Sequence, residues 1–195
     1  MAELPRAAEL IGLQEGGAAP REDDLWRAIA ENHRRNALLW AEEDLARRRH
    51  APDAEIAANK RAIDGHNQKR NDAIEKIDEL LIAGLGDVKR KPGARLHSET
   101  AGAMIDRLSI LALKIHHMRL QAERAEVPQQ HRDDCKAKLA VLAEQRRDLA
   151  GHLDRLLEEA SRGEAWFKVY RQYKMYNDPA LNPALYGETS RPRRS

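Results

Sequence analysis

Ile63-Asp64-Gly65-His66-Asn67-Gln68-Lys69-Arg70-Asn71-Asp72-Ala73-Ile74 has the pattern of a helix, yet it is polar where a packed helix should be apolar. At about 3.6 residues per turn, Ile56, Ile63, Ile74, Ile77 and Leu81 share one face, and Lys60, Asn67 and Arg70 fall on that same face. A stripe carrying an ammonium, an amide and a guanidinium needs internal partners or a ligand, because an unpaired buried charge is costly.

Outward from this stretch the chain divides into helices. Residues 3–15 hold a short helix with Leu10, Ile11 and Leu13, and a joint follows at Gly16, Gly17 and Pro20. The first long helix is expected from Asp24 to Arg49. Its stripe is Leu25, Ile29, His33, Asn36, Trp40, Glu43 and Arg47, with Asp44 beside it, and it turns from apolar to polar. Pro52 breaks the chain, and Asp53 is the expected N-cap of the second helix, which runs to Leu85. Beyond a Gly-rich loop, Ser98 or Thr100 caps a third helix reaching Ala125. Met104, Ile105, Leu108, Leu111 and Ile115 line one face and Ile110, Leu113 and Leu120 the other, which predicts a central, buried helix. It nevertheless contains Asp106, Ser109, Lys114, His116 and His117. The fourth helix spans His131 to Ala160, and Lys138, Gln145 and Arg146 interrupt its Leu-rich stripe.

The fold expected from this pattern is all-α: an antiparallel four-helix bundle over residues 21–162. A short helix and flexible joint (1–20) precede it. An aromatic C-terminal lid (163–185) with Trp166, Phe167, Tyr170, Tyr173 and Tyr176 follows, and then a disordered basic tail (186–195).

The composition excludes several classes. Charged residues make up 34% of the 195-residue chain and the formal net charge is only +2, which argues against a nucleic-acid surface. The one basic cluster is the tail, at Arg191, Arg193 and Arg194. The single Cys135 rules out an intrachain disulfide and fits a reducing compartment. There is no apolar run of membrane-spanning length and no signal-peptide pattern at the start, so a cytoplasmic location is expected.

The turn near residues 50–53 sets a register between the first two long helices, with residues whose numbers sum to about 103 lying level. Glu43 then faces Lys60, Asn36 faces Asn67, and His33 faces Arg70; the turn near Pro128 similarly sets Ser109 level with Gln145 and Leu108 with Arg146. The interruptions of four stripes therefore gather into one polar layer between apolar ends. Two readings stay open. In one, Glu43 and Asp44 pair with Lys60, Arg70 and Arg146 in a structural network. In the other, the layer is a cleft for a small polar, anionic or sugar-like ligand. There Lys60, Arg70 and Arg146 neutralise it; Asn36, Asn67 and Gln145 orient it; Glu43 or Asp44 is the acid or base of any chemistry. His33, Asp64, Asn71, Ser109 and Lys114 complete the candidate set. Glu42 is expected in water.

No G-x-S-x-G, Walker or G-x-G-x-x-G pattern is present, and the Glu-x-x-His of di-iron bundles is missing. Asp72-x-x-Glu75-x-x-Asp78 resembles half of the carboxylate set of all-helical nucleotide pyrophosphohydrolases, without the other half. No metal and no cofactor are expected.

Several motifs together resemble an uncharacterised bacterial family known as domain of unknown function 4254. They are Leu39-Trp40-Ala41-Glu42-Glu43-Asp44, Lys60-Arg61-Ala62-Ile63-Asp64, Asn67-Gln68-Lys69-Arg70-Asn71-Asp72, Ser98-Glu99-Thr100, Asp106-Arg107-Leu108-Ser109-Ile110 and Lys174-Met175-Tyr176-Asn177-Asp178-Pro179. The resemblance covers residues 25–185. It departs where His is expected at Ala41, Pro at Ala101, and Tyr-His at His116-His117. It implies an all-helical fold and the company of glycosyltransferase and surface-polysaccharide genes. The alternative function it suggests is a non-catalytic partner of a glycosyltransferase, and a homo-oligomer is compatible with either function.

Overall fold

The computed structural model describes residues 3–173, 175 and 178–189, the last three as backbone only. Its helices are α1 (Ala7–Gln14), α2 (Asp24–Ala46), α3 (Asp53–Leu85), α4 (Ala101–Glu123), α5 (Gln129–Ser161) and α6 (Pro183–Thr189). Among the described residues the strand content is one short parallel pair, β1 (Arg95–Leu96) with β2 (Ala165–Trp166). The all-α class expected from the sequence holds, and the pair is a small addition to it. Two residues per strand carry no period-2 signal, so nothing in the pattern of side chains announces it.

The helix starts follow local chemistry. Asp23 caps α2 by accepting the Trp26 N–H at 2.9 Å, and Thr100 caps α4 by accepting the Ala103 N–H at 3.1 Å. At α3 the expected cap is corrected by one residue. Pro52 occupies the N-cap and Asp53 is the first helical residue, where its carboxylate meets the positive end of the helix dipole.

α2 packs along α3, and α4 along α5, with α4 also touching α1, α2 and α3. Arg48 meets Glu55 (2.8 Å), Glu42 meets Asn59 (2.7 Å) and Arg35 meets His66 (3.2 Å). These pairs step in opposite directions along α2 and α3, within two residues of the expected register. Glu42 is thus half-buried rather than solvated, because Asn59 draws it toward α3.

The core is concentrated at one end. Met104, Ile105 and Leu108 of α4 lie in a cluster with Trp26 and Ile29, Ile77 and Leu81, Leu153, Leu156 and Leu157, and Leu10. Toward the other end burial thins out. From Gln129 to Asp148 of α5 only Cys135 is buried, and from Asp53 to Arg70 of α3 only Ile63 is. A polar layer between two apolar ends is therefore not what forms: one end is dry and packed, and the other is open.

α3 and α4 approach closely at Gly102, where an added Cβ would stand 2.6 Å from the Ile74 carbonyl oxygen. Asp78 seals this crossing by accepting the Gly102 N–H at 2.7 Å. The segment after α5 returns along the packed end. Ala165 and Phe167 are buried, the Arg90 guanidinium lies 3.7 Å over the Trp166 ring, and Arg171 reaches Glu75 and Glu79. Tyr173 of the expected lid points outward at 86% exposure, and Tyr176 lies outside the described residues. Asn182 accepts the Ala184 N–H at 3.0 Å and Pro183 starts α6, a favoured helix opening that carries on to Thr189. Residues 190–195 lie outside the described residues.

Candidate functional site

Where the packed end gives way to the open end, α2, α3 and α4 enclose a cleft of about 420 Å³. α2 contributes Asn36, Leu39, Trp40, Glu43, Asp44 and Arg47; α3 contributes Asn67 and Arg70; α4 contributes Ile110 and Leu113. The α2 residues recur every three or four positions, so one helix face supplies amide, indole and carboxylates in sequence along the cleft.

Arg70 stands out chemically. Its Nε is buried and has no hydrogen-bond partner among the described residues. No carboxylate pairs with its guanidinium there either. A guanidinium N–H withdrawn from water without an acceptor loses its hydration with no return, so the site favours an incoming acceptor.

Behind the cleft lies a buried polar network. Asn36 Nδ2 donates to Asp106 Oδ1 at 2.9 Å and to Ser109 Oγ at 3.0 Å. Asn32 Nδ2 donates to the same Asp106 Oδ1 at 2.8 Å. Ser109 Oγ also lies 2.8 Å from His33 Nδ1. Asn32, Asn36, Asp106 and Ser109 are all buried. Burial holds the His33 imidazole below its ordinary pKa, so it is neutral at pH 7. Asn32 and Asp106 were not among the sequence candidates. The signal for Asp106 was its place in a helix apolar nearly all round; Asn32 lies one step off the stripe drawn through Ile29 and His33.

At the open rim, Glu43 pairs with Arg47 at 2.9 Å along α2. Trp40 stacks on His117 with ring centroids 4.3 Å apart and planes 2° from parallel. Burial and the neighbouring His116 push the His117 pKa down, and Asp44 partly offsets them.

The cleft gathers Asn36, Glu43, Asp44, Asn67 and Arg70 of the expected set, with His33 and Ser109 immediately behind Asn36. It does not gather the rest. Lys60 is exposed and paired with Asp64 one turn away; Lys114 is exposed; Asn71 is buried but does not line the cleft. Arg146 binds Glu15 near the end of α1 at 2.5 Å, and Gln145 lines a separate groove with Arg107 and His152. The level matching of the α4–α5 hairpin to the α2–α3 hairpin is what misled. The opening half of α5 packs mainly on α4, so level residues do not meet across the molecule. The internal network of Glu43 and Asp44 with Lys60, Arg70 and Arg146 does not form either. Glu43, Lys60 and Arg146 take other partners, and Arg70 takes none among the described residues.

Asp72, Glu75 and Asp78 do not converge. Asp72 accepts from Gln68, Glu75 from Arg171 and the Gln172 N–H, and Asp78 from Gly102. Among the described residues no three His, Cys, Asp or Glu side chains are arranged to hold a metal, and no described helix is long and apolar enough to cross a membrane.

No curated protein and no solved structure matches the chain. One family model does, over residues 26–169, a span that holds every residue of the cleft and of the network behind it. The chain belongs to the family described as Protein of unknown function (DUF4254).

Proposed function

We propose that the cleft between α2, α3 and α4 binds a small polar, anionic or sugar-like molecule, with the long helices α2–α5 acting as an antiparallel four-helix bundle that presents it. The observation that carries this reading is the unpartnered, buried Nε of Arg70 in an open cleft beside Asn36 and Asn67. A structural ion-pair layer would consume its own cations. Here a half-buried cation lining the cleft is left over with its Nε buried, and leaving a buried donor unmet costs about 1–3 kcal/mol that a bound acceptor would recover. If the bound molecule is transformed, Asp44 and Glu43 at the rim are the acid and base candidates. Such a role fits glycan or secondary metabolism.

The test is thermal unfolding against a set of organic acids, sugars and sugar phosphates, for the wild type and Arg70→Met. A ligand-dependent rise in Tm is expected for the wild type and should be abolished by Arg70→Met. The unliganded variant should be at least as stable as the wild type, since the orphaned donor is gone. A ligand shift that survives Arg70→Met would remove the cleft from consideration.

A second reading has one observation behind it. Met118, Ala137, Val141 and Leu142 form an apolar groove on the open α4–α5 arm, with Val141 52% exposed. That strip suits a protein partner, such as a glycosyltransferase. Val141→Glu would abolish such an association and leave ligand shifts at Arg70 untouched.

A further inference from the structure

The cleft presents two recognition elements of opposite kind, and the inference rests on the ligand-binding reading of that cleft. Arg70 offers donors only. Asn36 offers an acceptor, for a reason visible in the structure. Both hydrogens of its Nδ2 are engaged, one by Asp106 Oδ1 and one by Ser109 Oγ. An amide held in this way cannot present its nitrogen to the cleft. Among the described residues nothing donates to Asn36 Oδ1, and Asn36 lines the cleft.

We infer that Asn36 Oδ1 accepts a hydroxyl of the ligand while Arg70 takes its anionic group, so the ligand class is a small hydroxylated anion. Asp106 is the positioning residue, because a carboxylate is acceptor-only and forces the donor end of the Asn36 amide inward. Ser109 assists, and its contact with His33 Nδ1 keeps the hydroxyl from turning away. The anionic group is a carboxylate or a phosphate; both offer the paired acceptor oxygens that a guanidinium fork engages. The cleft volume of about 420 Å³ limits the partner to a small molecule.

Four probes separate these elements in thermal-shift and calorimetric titrations: gluconate and glucose 6-phosphate as hydroxylated anions, hexanoate as an anion without hydroxyls, and sorbitol as a polyol without charge. The expected result is a shift with gluconate or glucose 6-phosphate that is at least tenfold stronger in affinity than with hexanoate or sorbitol. Which of the two hydroxylated anions binds better identifies the anionic group. Asp106→Ala removes the acceptor that holds the Asn36 amide and releases that amide to rotate. It should collapse the preference for hydroxylated anions over hexanoate to within about threefold while Arg70-dependent hexanoate binding persists. A merely structural Asp106 would weaken all the anions together. Should Asp106→Ala fold poorly, Asn36→Ala makes the same prediction, and slow exchange of the Asn36 side-chain amide protons in the wild type reports the double hydrogen bond directly. If hexanoate binds through Arg70 as well as the hydroxylated anions do, or if neither hydroxylated anion shifts the protein, this inference is overturned, while an Arg70-dependent shift with any anion leaves the cleft itself standing. If no shift depends on Arg70, both fall.

Discussion

Asp78 shows how much one residue can carry in this fold. It is 2% exposed, it accepts the Gly102 N–H, and it is also hydrogen-bonded by Thr100. The anion sits at the start of α4, where unpaired N–H groups and the helix dipole favour negative charge. Burial nevertheless dominates and pushes the carboxyl up to about 6, from 3.8 when the chain is unfolded. The consequence for stability has a definite sign. Between pH 3.8 and 6 the folded protein keeps a proton that the unfolded chain has released. Stability from this residue is therefore greatest below 3.8, falls as pH rises through the window, and is level above 6. At about 1.4 kcal/mol per pKa unit, the change is roughly 3 kcal/mol. Asp78→Asn keeps an acceptor for Gly102 and has no charge to bury. Relative to the wild type it should gain stability as pH rises across that window, by roughly this amount, and run parallel above it. Urea unfolding at a series of pH values measures the difference, and a constant offset across the window would show that Asp78 does not titrate in the fold.

Between elements, the α3–α4 crossing is set by the smallest side chain available. At Gly102 a Cβ would stand 2.6 Å from the Ile74 carbonyl oxygen and 2.9 Å from Asp78 Oδ1. The first neighbour is backbone and cannot swing aside. Gly102→Ala must therefore push α4 off α3, and overpacking of this kind costs about 1–3 kcal/mol despite the better helix propensity of alanine. Chemical denaturation of Gly102→Ala checks it, and a variant as stable as the wild type would mean the helices are not in register at Ile74. This crossing also shows what the sequence carried and what it did not. The helix starts and the α2–α3 hairpin were legible, because capping residues and a short turn act locally and the register follows from equal rise per residue. The contribution of α3 to the cleft, Asn67 and Arg70, was legible because polar residues on an otherwise apolar face are visible in one helix alone. Gly102 and Asp78 were not. Their meaning lies in a backbone-to-backbone distance between helices joined by a long loop, and no periodicity encodes that distance. Lys60, Gln145 and Arg146 do not line the cleft for the same reason: each interrupts a helix face, but which neighbour that face meets is a tertiary fact.

At the scale of the whole molecule the protein is asymmetric along its length, and this shapes both the site and the dynamics. The packed helices part where Asn36 and Arg70 sit, at the border of the dry core. The rigid end fixes the network of Asn32, Asn36, Asp106 and Ser109 from behind, while the open end leaves room for a ligand to enter. The same asymmetry predicts two levels of opening. In α5, Leu149, Leu153, Leu156, Leu157 and Ala160 are buried in or beside the core, whereas Gln129 to Asp148 bury only Cys135. Backbone hydrogen bonds in a segment with so few apolar contacts break without unfolding the rest, so their opening free energy lies below the global value. Native-state hydrogen exchange should therefore resolve α5 into two parts: amides beyond Leu149 exchanging only through global unfolding, and amides before Gln145 exchanging at least a hundredfold faster, through an opening with little denaturant dependence. The amides at the open end of α2, from Trp40 to Ala46, should follow the faster class, because Leu39 is the last buried residue of that helix. A ligand held at Asn36 and Arg70 would slow exchange selectively in α2 and α3 around the cleft, leaving the first half of α5 unchanged. Uniform protection along α5 in the free protein would contradict the uneven core, and slowing confined to α5 on ligand addition would place the binding site elsewhere.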